Sequence, residues 1–344
     1  FDIYTSCYNG EIGEVWLDSS ISSIHVDKFY SNSEVSEVLP YIGRLDYKAA
    51  IFPELCFCIG IENLLQIKVP RRAQYIRILV CELFRISNHI YYIAIMSEIM
   101  GYDVVVSLSL IERERVLRLI EHITGSRVLP NFIRVGGVKK DIGDELINEI
   151  RSEMRALYRS LRKIEGMFLG NTVVTERLKN VGVLDKDTAL EYGISGPNLR
   201  ACGTRYDMRK SGKFLPYEDF SFVVPLERGG GCLDRTELRF REIYQSLKII
   251  TQVIEKLPLG VAKKIVNLSH IELPLSRTVS SVECPHGIFK MYMEFEGNRV
   301  LALASMGPSR NSVLLAEKIL NGSTFEDLNL ILASLDISPG EILS

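Results

Sequence analysis

The chain has 344 residues, 47% of them hydrophobic, and its 41 Lys and Arg residues nearly balance its 43 Asp and Glu residues, which gives a formal charge of −2. This balance argues against a nucleic-acid-binding protein that works through a basic face. No run of about 18 uncharged apolar residues is present, so no transmembrane helix is predicted. The mean hydropathy of +0.10 is high for a lone soluble protein and indicates burial against partner subunits.

The amino-terminal part of the sequence predicts a hairpin followed by helix. Residues 1–28 alternate loosely between apolar and polar types, and Asp18-Ser19-Ser20 separates the segments EVWL and SIHV. This pattern predicts short strands in a hairpin that turns at residues 18–20. Residues 35–67 predict mainly helix, with a boundary or kink at Pro53 because proline has no N–H to donate.

Residues 71–100 predict one long and largely buried helix. Pro70 can begin this helix and Gly101 can end it. Its polar residues recur at steps of three and four among apolar ones: Gln74, Arg77, Cys81, Glu82, Arg85, Asn88 and His89. Because an unpaired buried charge is costly, we interpret this polar seam as a ladder of ion pairs between packed helices.

Three further long helices are predicted. Ser107 or Ser109 can cap a second helix that ends at Gly125. Residues 141–168 and 233–257 carry apolar positions at helical spacing and predict a third and a fourth. The four together indicate a helical bundle.

The first turns of the second helix carry a run of four charges, Glu-Arg-Glu-Arg at residues 112–115. Two interpretations stay open for this run. The charges either form an exposed face or pair inside the bundle with Arg77 or Arg85, and the second interpretation is favoured.

The carboxy-terminal part of the sequence predicts a hairpin and two short helices. Residues 287–305 alternate and turn at Glu296-Gly297-Asn298. Residues 311–320 and 324–335 predict the two helices. This mixture of strand and helix differs from the bundle that precedes it.

No metal or cofactor site is predicted from the residues alone. The seven cysteines are odd in number and mostly lie in apolar or helical surroundings, which indicates reduced thiols. Cys56 and Cys58 would point about 200° apart on a helix, so their spacing does not form a metal pair. The glycines at 229–231 do not fit the dinucleotide fingerprint, so no NADH site is predicted. The histidines are interpreted as core or surface residues rather than ligands: His89, His122, His270 and His286.

Five sequence blocks together resemble one known family. They are LPYIGRLDY at 39–47, GIENLLQIKVPRRAQYIR at 60–77, SGPNLRACGTRYDMRK at 195–210, FVVPLERGGGCLDRTELRFREIYQSLKII at 222–250 and ASLDISPGEI at 333–342. In this order they resemble the 49-kDa subunit of respiratory complex I, the proton-pumping NADH:quinone oxidoreductase. That family is related to the large subunits of nickel–iron hydrogenases. So many ordered blocks make the resemblance specific, with a weak patch at residues 259–284.

The resemblance implies an α+β, mainly α fold: a hydrogenase-large-subunit-like long-helix bundle with small flanking β-hairpins. Residues 1–35 would form a divergent amino-terminal hairpin region, 36–258 the central bundle and 259–344 an α+β segment, together one domain. The two Cys-x-x-Cys pairs that hold nickel in the hydrogenases are absent, and the carboxy-terminal pair position reads Asp336-Ile337-Ser338-Pro339. Without thiolates a nickel–iron site cannot be assembled, so hydrogenase activity is excluded.

The resemblance also implies a role in a larger assembly. The chain would form the quinone-reduction chamber of complex I with an adjacent iron–sulfur subunit, and it would be inactive alone. Its expected partners are that terminal-cluster subunit, a 30-kDa-type subunit, membrane-arm subunits and ubiquinone. The chain would bind no cofactor, because it supplies no plausible cluster ligands. The expected location is the matrix side of the mitochondrial inner membrane, or alternatively the cytoplasmic face of a bacterial membrane.

One catalytic residue carries over from the family. Tyr47, the last residue of LPYIGRLDY, matches the tyrosine that holds the quinone head-group. The family histidine on an amino-terminal hairpin has no counterpart, since His25 does not match. The family aspartate position falls at Ile99, and the adjacent Glu98 would point about 100° away. A second family histidine falls at Leu129, and the family's His-Arg-Gly segment is missing.

These departures leave two interpretations of activity. Histidine and carboxylate groups can supply the protons that quinone reduction needs, whereas leucine and isoleucine cannot. Either Tyr47 and water suffice in a rearranged pocket, or the chain is a catalytically eroded structural subunit that scaffolds assembly of the same complex. A helical binding module outside respiration is disfavoured by the number of matching blocks.

Overall fold

A computed structural model of the protein describes residues 2–18, 30–270 and 273–342. The helices within these ranges are, in chain order, α1 (Val35–Val38), α2 (Ile51–Leu64), α3 (Arg71–Ile99), α4 (Asp103–Thr124), α5 (Asp144–Leu169), α6 (Thr172–Leu178), α7 (Lys186–Glu191), α8 (Gly196–Ala201), α9 (Met208–Ser211), α10 (Cys232–Glu255), α11 (Pro308–Leu320), α12 (Leu328–Ser334) and α13 (Pro339–Ile342). The strands are β1 (Asp2–Tyr8), β2 (Glu11–Asp18), β3 (Ser33–Glu34), β4 (Ile133–Arg134), β5 (Gly137–Val138), β6 (Leu273–Glu283), β7 (Ile288–Gly297) and β8 (Arg299–Met306). The predicted α+β, mainly helical class with small hairpins is confirmed.

The long helices α3, α4, α5 and α10 form the central bundle. Helix α3 packs against α4 and α10, and α5 covers the same two helices from outside. By length and composition α3 could cross a membrane, but 89% of its most apolar window is buried inside the protein. The apolar composition of α3 therefore serves the core of the bundle.

The boundaries of α4 differ from the prediction at one end. The helix begins at Asp103, four residues before the first predicted cap, and Ser107 and Ser109 both lie inside it. An acidic residue in the first turn suits the positive end of the helix dipole. The carboxyl end is as predicted, since Gly125 has a φ of 86° and closes the helix in the left-handed conformation.

An antiparallel sheet packs on one side of the bundle. Its strand order is β3-β8-β7-β6, and the predicted turn between β7 and β8 at residues 296–298 is confirmed. Strand β6 was not predicted, because it lies in the weak patch of the resemblance. Helix α2 packs on β6 and β7 and approaches them closely at Gly60, where a Cβ would lie 2.2 Å from the end of the flexible Met293 side chain.

The amino-terminal hairpin forms within residues 2–18. Strands β1 and β2 pair antiparallel and turn at Asn9-Gly10, whose φ values are 52° and 84°. Asn-Gly favours a two-residue hairpin turn because both residues tolerate positive φ. The prediction that EVWL forms a strand is confirmed, since it lies in β2, whereas Ser19, Ser20 and SIHV lie outside the described residues.

The polar seam of α3 is centred on a buried carboxylate, Glu82. It accepts hydrogen bonds from the Tyr217 hydroxyl at 2.8 Å and the Ser246 hydroxyl at 2.6 Å. The guanidinium groups of Arg209 and Arg85 lie at 3.1 and 3.4 Å. Burial alone would raise the pKa of Glu82, but the two arginines outweigh burial and lower it. Glu82 is thus ionised, and both of its carboxylate oxygens have partners.

A second centre, Arg200, joins four elements. Its guanidinium lies 2.6 Å from Glu242 on α10 and 2.8 Å from Glu283 at the end of β6. Glu242 in turn accepts from His89 of α3 at 3.0 Å, if the ring Nε2 carries the proton. All four side chains are buried. The interpretation of the seam as ion pairs between packed elements is confirmed.

The charges at residues 112–115 do not join this network. Arg77 pairs instead with Glu62 of α2, with two nitrogen–oxygen distances of 2.9 and 2.6 Å. Glu112 pairs with Arg115 at 3.3 Å, and Arg115 also reaches Glu153 of α5 at 3.4 Å. The favoured prediction of pairing with Arg77 or Arg85 is therefore wrong. These charges connect α4 to α5 near the surface.

The network predicts a large effect of removing its central cation. Arg200→Met leaves Glu242 and Glu283 buried without their nearest positive charge, so the free energy of unfolding should fall by about 3–5 kcal/mol. Urea titration of the assembled complex, followed by the release of this chain, measures the change. Arg162→Met is the matched control, because Arg162 pairs with Glu165 at a site where it is 59% exposed. Its expected cost is small because solvent screens this pair, and equal costs for the two variants would contradict the prediction.

A second prediction concerns the pH dependence of stability. Burial lowers the pKa of His89 to about 4 from its usual 6.5, so the unfolded chain takes up this proton first as the pH falls. The stability that neutral His89 contributes is complete above pH 6.5 and is lost between pH 6.5 and 4. In His89→Gln an amide still donates to Glu242 and does not titrate. The urea midpoint of the wild type should therefore fall more steeply over this range than that of the variant, whereas parallel curves would refute the assignment.

Candidate functional site

Tyr47 lies at the surface directly after a buried turn. The 3-10 helix Ile42–Asp46 ends at Tyr47, whose side chain is 46% exposed, whereas Leu45 and Asp46 are buried. A 3-10 helix has three residues per turn, so successive side chains leave it in different directions. The turn thereby directs the phenol outward and the neighbouring carboxylate inward.

The backbone around Tyr47 is held by the closing block of the sequence. Ser338 donates its hydroxyl to Asp46 Oδ1 at 2.8 Å, and Lys48 donates to the Ile337 carbonyl at 3.0 Å. Gly340 lies against the aromatic ring, since a Cβ at this position would be 3.3 Å from Tyr47 Cδ1. Two of the blocks that carry the resemblance, LPYIGRLDY and ASLDISPGEI, therefore meet at this site.

Behind Tyr47, buried acids surround a histidine. Burial and the nearby Glu341 carboxylate raise the pKa of Asp46 to about 6. Burial alone would lower the pKa of His286, but Asp336, Glu341 and Asp46 outweigh burial and raise it. Sequence reasoning missed this group. Asp46, Asp336 and Glu341 lie within quoted blocks, which is a signal that could have found them, but His286 lies in none.

The two apolar residues that the resemblance matches to titratable residues of the family lie at the surface. Ile99 is 38% exposed at the end of α3, and Leu129 is 40% exposed in the loop after α4. That loop is fixed by Glu54, which accepts three backbone N–H groups at residues 131–133. Neither apolar side chain can exchange a proton. Glu98 is exposed, and His25 lies outside the described residues.

The cluster at residues 200–209 has a structural role in this fold. Arg209 and Asp207 are buried and paired at 2.7 Å, and both lie beside the Glu82 and Arg200 centres. Arg205 is exposed. The buried Asp207 and Arg209 therefore join α9 to α3 and to Arg200 on α8. Residues 196–201 and 208–211 form the short helices α8 and α9.

The cysteines and the remaining histidines show no redox centre among the described residues. All seven cysteines are free thiols and six are buried, which raises the pKa of Cys56 to about 12 and keeps its thiol protonated. His122 is exposed beside Glu149, and His270 is exposed as well. These histidines are core or surface residues as predicted, whereas His286 lies among the carboxylates.

Comparison with known proteins identifies relatives over almost the entire chain. A family model described as the 49 Kd subunit of respiratory-chain NADH dehydrogenase matches residues 100–274. The NADH-quinone oxidoreductase D subunit of Rickettsia felis is 33% identical over 352 residues, covering 94% of this chain and 90% of the relative. The D subunit of Ehrlichia chaffeensis is 31% identical over 353 residues, covering 95% and 90%.

A solved structure shares the fold. The membrane-bound sulfane sulfur reductase, described as an archaeal respiratory membrane complex, contains a chain that superimposes with a TM-score of 0.95 and is 29% identical in sequence. The match covers 99% of this chain and 94% of that chain. Sequence blocks, fold and relatives agree: the chain belongs to the family of the 49-kDa or D subunit of NADH-quinone oxidoreductase.

Proposed function

We propose that this chain is a core subunit of a proton-pumping NADH:quinone oxidoreductase and forms one wall of its quinone-reduction chamber. The observation that carries the proposal is the placement of Tyr47, a surface phenol on a backbone held from behind by Ser338 and Ile337. The names of the bacterial relatives support the overall reaction. The exposure of Tyr47 implies that a neighbouring subunit supplies the opposite wall.

The chemistry assigned to Tyr47 is donation of a hydrogen bond. Reduction of a quinone to a quinol takes two electrons and two protons, and negative charge develops on the carbonyl oxygens as electrons arrive. A phenol O–H directed at one carbonyl orients the ring and stabilises that charge. The electrons come from an iron–sulfur cluster in the neighbouring subunit.

The protons must come from another source than the family's titratable pair. Ile99 and Leu129 carry no exchangeable proton, so the two protons come from Tyr47, from water or from groups on a neighbouring chain. The same two residues favour a second candidate function, in which the chain scaffolds the complex and no longer supports quinone reduction.

Exposed apolar side chains support the proposed assembly. Val104, Leu110 and Ile111 on α4 are exposed although they are large and hydrophobic, as expected of surfaces that partner subunits cover. We propose the terminal-cluster subunit, a 30-kDa-type subunit and membrane-arm subunits as partners. The proposed location is the matrix side of the mitochondrial inner membrane or the cytoplasmic face of a bacterial membrane, and the relatives given above are bacterial.

The proposal predicts a selective defect in Tyr47→Phe. Loss of one hydrogen bond to the reacting carbonyl should lower inhibitor-sensitive, NADH-driven quinone reduction about tenfold or more, because such bonds contribute roughly 1.5–3 kcal/mol when charge develops. Assembly and NADH oxidation by an artificial acceptor should stay normal. Tyr41→Phe is the matched control, since Tyr41 lies in the same block and is 43% exposed.

Normal quinone turnover in Tyr47→Phe would contradict the role of the phenol. Absence of inhibitor-sensitive quinone reduction in the wild-type complex, with artificial acceptors still reduced, would instead support the scaffold function.

A further inference from the structure

A buried group of potential metal ligands lies between the sheet and the carboxy-terminal helix. Cys284 and His286 form the turn between β6 and β7, and Glu341 lies on α13. Glu341 Oε1 is 3.7 Å from the Cys284 sulfur and 3.5 Å from His286 Nδ1. All three side chains are buried, and their ligand atoms lie within 4.8 Å of one another. A sulfur, a nitrogen and an oxygen donor thus converge on one point.

The Asp46 carboxylate lies next to His286, outside the group of three ligand atoms that lie within 4.8 Å of one another. Asp46 Oδ2 lies 3.7 Å from His286 Nδ1, and both atoms are buried without a hydrogen-bond partner. The other Asp46 oxygen is already engaged, because Oδ1 accepts from the Ser338 hydroxyl and from the Lys48 N–H. Asp46 is therefore oriented with its free oxygen toward the histidine.

Glu341 is also held through one carboxylate oxygen by protein donors. Its Oε2 accepts from the Ser309 N–H at 3.0 Å and also from the Ser309 hydroxyl. This leaves Oε1 on the side of Cys284 and His286. Fixing one carboxylate oxygen by protein donors and presenting the other is how outer contacts orient metal ligands.

The spacing of these donors matches a tetrahedral ion. Zinc bonds of about 2.0–2.3 Å to nitrogen, oxygen and sulfur place neighbouring ligands roughly 3.3–3.8 Å apart. Glu341 Oε1 lies 3.5 Å from His286 Nδ1 and 3.7 Å from the Cys284 sulfur, and both separations lie in this range. We propose that Cys284, His286 and Glu341 bind a Zn²⁺ ion, and that Asp46, which lies beside His286, closes the fourth position when the ion binds.

The neighbours of His286 Nε2 suit an imidazole that binds a metal through its other nitrogen, Nδ1. A ligand that binds through Nδ1 donates its Nε2–H to a neighbour. Here Nε2 lies 3.0 Å from the side-chain amide of Asn88 and 3.7 Å from Asp336 Oδ2. The Asn88 Oδ1 atom is buried without a partner, and a half-turn of the amide places this acceptor against the Nε2–H.

The neighbouring charges and the types of ligand indicate which ion would bind and what kind of site it would form. Lys48 and Arg239 lie 3.4 and 3.8 Å from Asp336, so these two cations serve a carboxylate outside the proposed ligand set. A thiolate favours zinc over magnesium and calcium, and binding would displace the Cys284 proton. The three ligands are buried and Asp46 lies beside His286 to close the fourth position, so the ion would be structural. It would tie the β6–β7 turn to α13 behind Tyr47.

Metal analysis of the purified complex tests the proposal. The wild-type complex should contain about one zinc more per complex, by plasma mass spectrometry, than complexes carrying Cys284→Ser or His286→Gln. The matched control is Cys202→Ser, a buried thiol outside the group whose donor role to the Asn198 carbonyl a hydroxyl can take over. This control should keep the wild-type zinc content. Equal zinc in all four complexes would overturn the proposal and leave His286 as a neighbour of the carboxylates without a bound ion.

A second measurement needs no variant, in case the substitutions prevent assembly. A high-resolution density map of the wild-type complex should show a peak bonded to the Cys284 sulfur and His286 Nδ1. Continuous side-chain density without such a peak would overturn the proposal. Neither result depends on quinone turnover, so the zinc site and the role of Tyr47 are tested separately.

Discussion

The charge buried along α3 is the constraint on which the rest of the fold depends. Glu82, Arg85 and His89 lie in the interior, and each must meet a polar partner there because water cannot serve. The partners come from other elements, such as Arg209 on α9 and Glu242 on α10. An apolar seam would allow neighbouring helices to shift by a turn at small cost. Paired charges make such a shift costly, so the seam fixes both the packing of the helices and which residues face each other.

This constraint determines which parts of the fold could be predicted from the sequence. Helix α3 was recognisable because polar residues at steps of three and four in an apolar segment are typical of a packed helix. The partners were not recognisable, since Glu62 and Arg77 are 15 residues apart and no local pattern links them. The predicted start of α4 was wrong, because Ser109, a possible cap in the sequence, is a buried interior residue of the helix. The turn of the first hairpin at Asn9-Gly10 was not predicted, although Asn-Gly is a strong turn signal.

The candidate site likewise has one part that could be predicted from the sequence and one that could not. Tyr47 could be found because it ends a block that resembles the family, and a surface phenol needs no partner from this chain. The group behind it depends on contacts over long separations, such as Ser338 to Asp46 across 292 residues. His286 belongs to no block, and as a lone histidine in the sequence it resembled any core residue. Only the folded chain shows that three carboxylates surround it.

The contact between the two distant blocks also bears on how the protein is made. Lys48 and Asp336 are separated by 288 residues, so the segment that holds the Tyr47 backbone leaves the ribosome long after Tyr47 itself. Domains generally begin to fold during synthesis from the amino end, and loop closure over such a distance is slow. The bundle can therefore form while the wall around Tyr47 is still unsupported. A nascent chain interrupted before residue 336 would therefore lack this support for the backbone around Tyr47.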